Sequence, residues 1–132
     1  MISKTGVHAT LALTMMAKLK PGEYAGAPQI AREVGAPANY LGKLLKQLAA
    51  AGLLESQKGY GGGFRLAIPA KKITLFQIIE PFDKISRWNG CFWRREKCSE
   101  KTPCAVHRKY SVIREAYLNF LKTTTVQDLS QK

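Results

Sequence analysis

Four glycines in five positions, Gly59-Tyr60-Gly61-Gly62-Gly63, are the most constraining stretch of this 132-residue chain. So dense a run belongs to a turn, because glycine reaches positive φ at no steric cost. The flanks read as strands. Leu53-Leu54-Glu55-Ser56-Gln57-Lys58 alternates weakly and Phe64-Arg65-Leu66-Ala67-Ile68 alternates more cleanly, which predicts one antiparallel hairpin. The competing reading is a phosphate-cradling loop of a nucleotide enzyme. It is disfavoured, because no Gly-Lys-Ser/Thr follows and a strand, not a helix, comes next.

What precedes the hairpin gives it meaning. Val7, Leu11, Met15 and Leu19 recur every fourth residue, with Leu13 and Met16 widening the stripe, and predict a first helix ended by Lys20-Pro21-Gly22. A short helix opens at Ala27-Pro28, where the missing proline N–H is harmless, and breaks after Val34 at Gly35. A third runs from about Pro37 to Ala51 with Tyr40, Leu41, Leu44, Leu45 and Leu48 on one face and Gly52 as its stop. Two helices joined by a short glycine-containing turn fit either a helix-turn-helix or an ordinary helical hairpin. The β-hairpin that follows directly favours the first, as its wing. The expected architecture is mainly α with a small β-hairpin, a winged helix-turn-helix domain followed by a long C-terminal dimerisation helix.

Downstream, Ile73 to Glu80 reads as a short helix stopped by Pro81. Residues 82 to 103 show no period and form a loop of functional length. A long helix is expected from Cys104 to about Lys122. On it Val106, Tyr110, Ile113, Tyr117 and Leu121 form a near-heptad stripe, broadened by Leu118 and Phe120. A stripe of that kind on a terminal helix suggests pairing with a second copy, with packing onto its own domain as the alternative. Thr125 is placed to cap a last short helix through Leu129, with Asp128 in its first turn. The chain therefore divides into a DNA-binding domain at 1–80, a cysteine-containing loop at 81–103, and a dimerisation helix with its C-terminal segment at 104–132.

Charge narrows the partner. Twenty-one Lys and Arg against nine Asp and Glu give +12, with a pI near 9.9. Such a field attracts polyanions, and the commonest for a cytoplasmic-looking chain is nucleic acid. The basic residues are scattered rather than gathered on one amphipathic helix, which argues against a membrane surface. No apolar run approaches a membrane span and no signal pattern opens the chain, so a cytoplasmic protein is expected.

The first turns of a recognition helix face base edges, which nominates Asn39, Tyr40 and Lys43. Asn can pair bidentately with adenine, although Asn39 can equally cap its own helix. Tyr40 can also face the core with its hydroxyl at the surface. Lys43 has the look of a phosphate contact or of a solvated surface lysine. Gln29 sits beside the first turn of the second helix, in place for a phosphate contact. In the hairpin, Lys58, Tyr60 and Arg65 surround a tip whose glycines permit close approach to a groove wall.

Cys91, Cys98 and Cys104 fall within fourteen residues, and His107 follows three after the last. An odd count excludes a disulfide framework. On a helix, positions 104 and 107 share a face, and Arg94, Arg95, Lys97, Lys101, Arg108 and Lys109 would stabilise thiolates. Three thiolates and an imidazole suit zinc or an iron–sulfur cluster, and spacing alone does not choose. Unligated thiols are the bland reading. A Cys104–His107 nucleophile is a third, without an orienting group or oxyanion hole to support it, so the chain is not expected to be an enzyme.

Three segments resemble the bacterial Rrf2 family of winged-helix regulators: Ile2-Ser3-Lys4-Thr5-Gly6, Tyr40-Leu41-Gly42-Lys43-Leu44-Leu45, and Ser56-Gln57-Lys58-Gly59-Tyr60-Gly61-Gly62-Gly63-Phe64. The likeness runs over nearly the whole chain, to Thr124-Thr125-Val126-Gln127-Asp128-Leu129, and the three-cysteine loop is that of the family's cluster-binding branch. The resemblance implies a homodimer that crosses its long helices, binds a palindromic operator on double-stranded DNA, and senses iron–sulfur status, redox state or nitric oxide. It also implies that Cys91, Cys98, Cys104 and His107 hold an iron–sulfur cluster. Lys58 stands where the family usually has Arg, and the first cysteine gap is one residue longer than usual. Where the four-iron branch carries a carboxylate this chain has Val7, with His8 beside it, so the two-iron two-sulfur form is favoured over the four-iron one.

Overall fold

The computed structural model describes residues 2–85 and 106–130. Its elements are α1 (Lys4–Met16), α2 (Ala27–Val34), α3 (Ala38–Ala50), β1 (Leu54–Gln57), β2 (Gly63–Leu66), a single 3₁₀ turn at Ala70–Lys72, α4 (Leu75–Asp83), α5 (His107–Thr123) and α6 (Val126–Ser130). The mainly helical architecture with one hairpin is as the sequence predicts.

Local chemistry explains the boundaries of the helix-turn-helix. Pro28 lies in the first turn of α2, and Gly35 ends it with φ of +80°, the left-handed conformation that glycine adopts freely. The α3 helix then buries Leu41, Leu44, Leu45 and Leu48, the i, i+3, i+4, i+7 pattern of a core-facing stripe. Each buried leucine is worth about 1.5–3 kcal/mol of transfer from water. This apolar seam meets Ala9 and Leu13 of α1, Ile30 of α2, Ile78 and Ile79 of α4, and Leu118 and Leu121 of α5 in one core.

The wing is a short antiparallel ladder pairing Leu54 with Leu66, Glu55 with Arg65, Ser56 with Phe64 and Gln57 with Gly63. A third backbone segment holds it to the body. Ala25, just before α2, donates to the Phe64 carbonyl at 2.9 Å and accepts from the Phe64 N–H at 2.8 Å.

Three sequence expectations are corrected. The stripe on α1 is displaced: Gly6, Ala9, Ala12, Leu13 and Met16 are buried, whereas Val7 and Leu11 are 44% and 47% exposed. Small residues let α1 sit close to its neighbours, and an added Cβ at Gly6 would meet Asp83 and Ile79 of α4 at 3.4 and 3.5 Å. Leu13 and Met16, expected on the stripe, are buried as predicted, with the small residues beside them. Pro81 does not stop α4, which runs on to Asp83. A Thr74–Gln77 capping box secures its start, and buried Ile78, Ile79 and Ile85 hold it on the core, which outweighs one lost backbone hydrogen bond. Finally, α5 begins at His107 rather than at position 104.

The C-terminal segment is pinned to the domain by Leu75 N–H to the Thr124 carbonyl and Val126 N–H to the Ile73 carbonyl, both 2.9 Å. Thr125 and Asp128 exchange side-chain to backbone hydrogen bonds at 2.9 and 3.2 Å, the cap expected for α6. The stripe on α5 divides. Leu118 and Leu121 enter the core, while Ile113 and Phe120 stay exposed, as does Val112 outside the stripe. No helix among the described residues is long and apolar enough to cross a membrane.

Candidate DNA-binding interface

With its leucines turned inward, α3 presents Asn39, Lys43 and Lys46 to solvent, at i, i+4 and i+7 on one stripe. The cap of α3 is Pro37, without a side-chain hydrogen bond, and Asn39 is the second residue of the helix. Its amide makes no hydrogen bond among the described residues, which leaves the donor and acceptor available outward.

Tyr40 is turned the other way. Its hydroxyl donates to Thr5 Oγ1 at 3.1 Å and lies 3.0 Å from His8 Nδ1, and the His8 and Tyr40 rings meet edge-on with centroids 5.5 Å apart. The residue thus braces α3 against α1. His8, in turn, sits between these two helices.

The end of α3 and the wing share a groove. Lys46, Ala49, Ser56, Gln57, Lys58, Gly63 and Phe64 line a depression of about 300 Å³. Lys46 on the helix and Lys58 on the wing therefore flank one concave surface. Gln29 is exposed on the first turn of α2, and Arg32, one turn later, lines the same shallow depression. Arg32 escaped the sequence reading, although its i, i+3 spacing from Gln29 was the available signal.

Arg65 is placed differently from Lys58. Its Nε donates to Glu55 Oε1 at 2.6 Å, directly across the ladder, and its guanidinium lies over the Tyr24 ring at 4.5 Å. Both Arg65 and Glu55 line a separate cleft toward the end of α1, together with Lys20 and Glu23. The pair is partly solvated and worth about half a kcal/mol. Register explains what sequence did not reveal: positions 55 and 65 are opposed only once the turn length is known.

Tyr60 stands at the hairpin apex, wholly exposed. Cys91, Cys98 and Cys104 lie outside the described residues, as does the side chain of His107, whose backbone opens α5. Among the described residues no cluster of three or more His, Cys, Asp or Glu is arranged to hold a metal.

A leucine-anchored helix with a cationic outer stripe, reached through a short turn and followed by a glycine-tipped hairpin, defines a winged helix-turn-helix. Comparison with known proteins agrees. The model of the Rrf2 family, described as an iron-dependent transcriptional regulator, matches residues 2–132. A protein of Aquifex aeolicus named for a helix-turn-helix transcriptional regulator is 35% identical over 129 residues, covering 96% of this chain and 89% of its own length. CymR, the global cysteine regulator of B. subtilis, superposes with a TM-score of 0.81 at 27% identity, covering 98% of this chain and 95% of CymR. The fold of T. potens IscR is also similar, with a TM-score of 0.75 at 22% identity over 98% of this chain and 85% of that one. The chain belongs to the Rrf2 family of transcriptional regulators.

Proposed function

We propose that this regulator binds a palindromic operator as a homodimer and carries an iron–sulfur cluster, the two-iron two-sulfur form favoured, through Cys91, Cys98, Cys104 and His107. The observation that carries the cluster is the donor set: three thiols within fourteen residues and an imidazole at the start of α5. Three thiolates and one neutral nitrogen fit such a cluster, and a cluster so ligated supplies an oxidisable, dissociable centre. Arg94, Arg95, Lys97, Lys101, Arg108 and Lys109, neighbours of the cysteines in sequence, would favour their thiolates. Val7, exposed on α1, offers no carboxylate for a four-iron arrangement.

Dimerisation is supported by the apolar side chains that the monomer leaves uncovered. Val112 is 70% and Ile113 59% exposed on α5, with Phe120 beyond them. A second copy packed along α5 buries them, and its two-fold axis presents two recognition helices to two half-sites. On each half-site Asn39 reads a base edge in the major groove, Lys43 and Gln29 hold phosphates, and Lys58 approaches the minor groove from the wing. Repression follows where the operator overlaps a promoter.

Absorption spectra of the full chain purified without oxygen, with iron, sulfide and zinc assays, test the cluster. Visible bands with equal iron and sulfide support it. Zinc alone, or thiols without metal, favours the second reading: a zinc-stabilised or metal-free regulator whose cysteines are structural or oxidant-reactive. The closer superposition on CymR, a cysteine regulator, than on IscR is the observation behind that alternative.

A further inference from the structure

The wing tip adopts a defined turn. Gly62 N–H donates to the Gly59 carbonyl at 3.0 Å, and Gly61 carries φ of +75°, the combination of a type II turn with Tyr60 at its first central position. Backbone surrounds the base of this turn closely. A Cβ on Gly62 would lie 2.2 Å from the Gln57 carbonyl oxygen, and one on Gly63 2.3 Å from that of Ala25. The hairpin is thereby fixed both in its own ladder and against the segment before α2.

On this turn stands one bare ring. Tyr60 is 110% exposed, more than in an extended peptide, and makes no hydrogen bond or ring contact among the described residues. Val7, Leu11, Val112, Ile113, Phe120 and Leu129, the other large exposed apolar side chains described, lie on α1, α5 and α6 rather than on the wing or α3. A single exposed aromatic is unremarked in most places. Here it is pre-organised at the apex, between two glycines that add no bulk, two residues from the Lys58 cation.

We propose that Tyr60 is a stacking wedge that enters the minor groove of duplex DNA and lodges its ring against a pyrimidine–purine step. The inference rests on the reading of α3 and the wing as one DNA-facing surface. Pyrimidine–purine steps unstack most readily, so a ring inserted there converts local deformability into sequence preference at a base pair with no hydrogen-bond readout. The ring is neutral and releases no counterions, so its contribution is independent of salt, unlike that of Lys58.

The test uses duplexes that the full-length protein itself recovers from a randomised pool, with random-sequence duplexes of equal length beside them. Affinities are measured over a salt series for the parent, Tyr60→Ala and Tyr60→Phe. Permanganate oxidation, which attacks unstacked thymines, is mapped on the recovered duplex. The expected result is a loss of about tenfold for Tyr60→Ala on recovered duplexes at every salt concentration, with the parent's salt slope. Tyr60→Phe recovers most of that loss, and a thymine made reactive by the parent is protected again with Tyr60→Ala. Parent-like affinity and reactivity in Tyr60→Ala overturn the wedge while leaving the DNA-binding surface intact. An equal loss on random duplexes with no thymine exposed also overturns it, assigning the ring to backbone packing. Failure of the parent to recover any duplex overturns the underlying reading instead.

Discussion

The hydroxyl of Tyr40 lies 3.0 Å from Nδ1 of His8, so α3 is tied by a polar contact to α1 beneath it. Thr5 accepts from the same hydroxyl at 3.1 Å, on the same α1. Tyr40→Phe keeps the ring against His8 and removes both hydrogen bonds. Stability should fall by about 1 kcal/mol, read from urea unfolding. Affinity should fall in equal proportion on recovered and random duplexes, because the residue acts by positioning α3. A loss confined to recovered duplexes would make Tyr40 a base reader.

Lys58 and Arg65 should separate experimentally, since they lie on different sides of the hairpin. Lys58→Ala should leave stability unchanged and reduce the salt dependence of DNA binding by about one charge. Arg65→Ala should lower stability by about half to one kcal/mol by freeing Glu55 and uncovering Tyr24. An unchanged salt slope for Lys58→Ala would remove that lysine from the interface. A drop of a full charge for Arg65→Ala would show that Arg65 reaches phosphate while still held by Glu55.

The sequence was most legible where one residue type had one use. Gly35 and Gly52 end their helices at positive φ, and the leucines of α3 fall on the buried face, as periodicity predicts. Where several side chains compete, pattern misleads. On α1 the expected Leu13 and Met16 are buried, but close helix packing set Gly6, Ala9 and Ala12 beside them in place of Val7 and Leu11. Pro81 read as a stop because its cost is local and the burial that offsets it is not. The roles of Tyr40 and Arg65 depend on partners far along the chain, Thr5 and His8 for one and Tyr24 for the other, which no spacing rule reaches.

The donor set makes its own prediction. Cys104→Ala should abolish visible absorbance and bound iron yet leave a folded protein, because α5 is anchored in the core through Leu118 and Leu121. His107→Cys should retain iron and sulfide but lower the reduction potential, since a thiolate adds negative charge where an imidazole adds none. A spectrum and potential unchanged in His107→Ala would exclude histidine ligation.

Tyr117 links alkaline stability to the end of α4. Its phenol is raised above the ordinary tyrosine value of 10.0 by burial and then by the Asp83 carboxylate. Asp83 is held nearby, accepting from the Ser3 N–H at 3.0 Å and the Ser3 hydroxyl at 2.5 Å. Below 10.0 both folded and unfolded chains keep the phenolic proton, and the stabilisation is complete. As pH rises further the unfolded chain ionises first, binds fewer protons, and stability falls. Tyr117→Phe should flatten this decline in melting temperature above pH 10.0. Asp83→Asn should flatten it partly, at the cost of weakening the cap on α1. Identical alkaline profiles for parent and Tyr117→Phe would assign the decline to other groups.

Gly63 and Gly61 both adopt positive φ, at +144° and +75°, but their surroundings differ. A Cβ at 63 would lie 2.3 Å from the Ala25 oxygen and 2.5 Å from its carbonyl carbon, whereas nothing lies within 4 Å of a Cβ at 61. Backbone cannot rotate away as a side chain can. Gly63→Ala must therefore part Ala25 from Phe64, breaking the two hydrogen bonds of 2.8 and 2.9 Å that fasten the wing to the segment before α2. The expected loss is about 2–4 kcal/mol for Gly63→Ala, against about 1 kcal/mol for Gly61→Ala, which meets only the left-handed backbone penalty. Hydrogen exchange should report the difference locally, with faster exchange at the Ala25 and Phe64 amides in Gly63→Ala alone. DNA affinity should follow the same order, because a detached wing no longer presents Lys58 beside Lys46. Equal destabilisation by the two substitutions would mean that backbone conformation, not the close approach to Ala25, is what requires glycine at the wing.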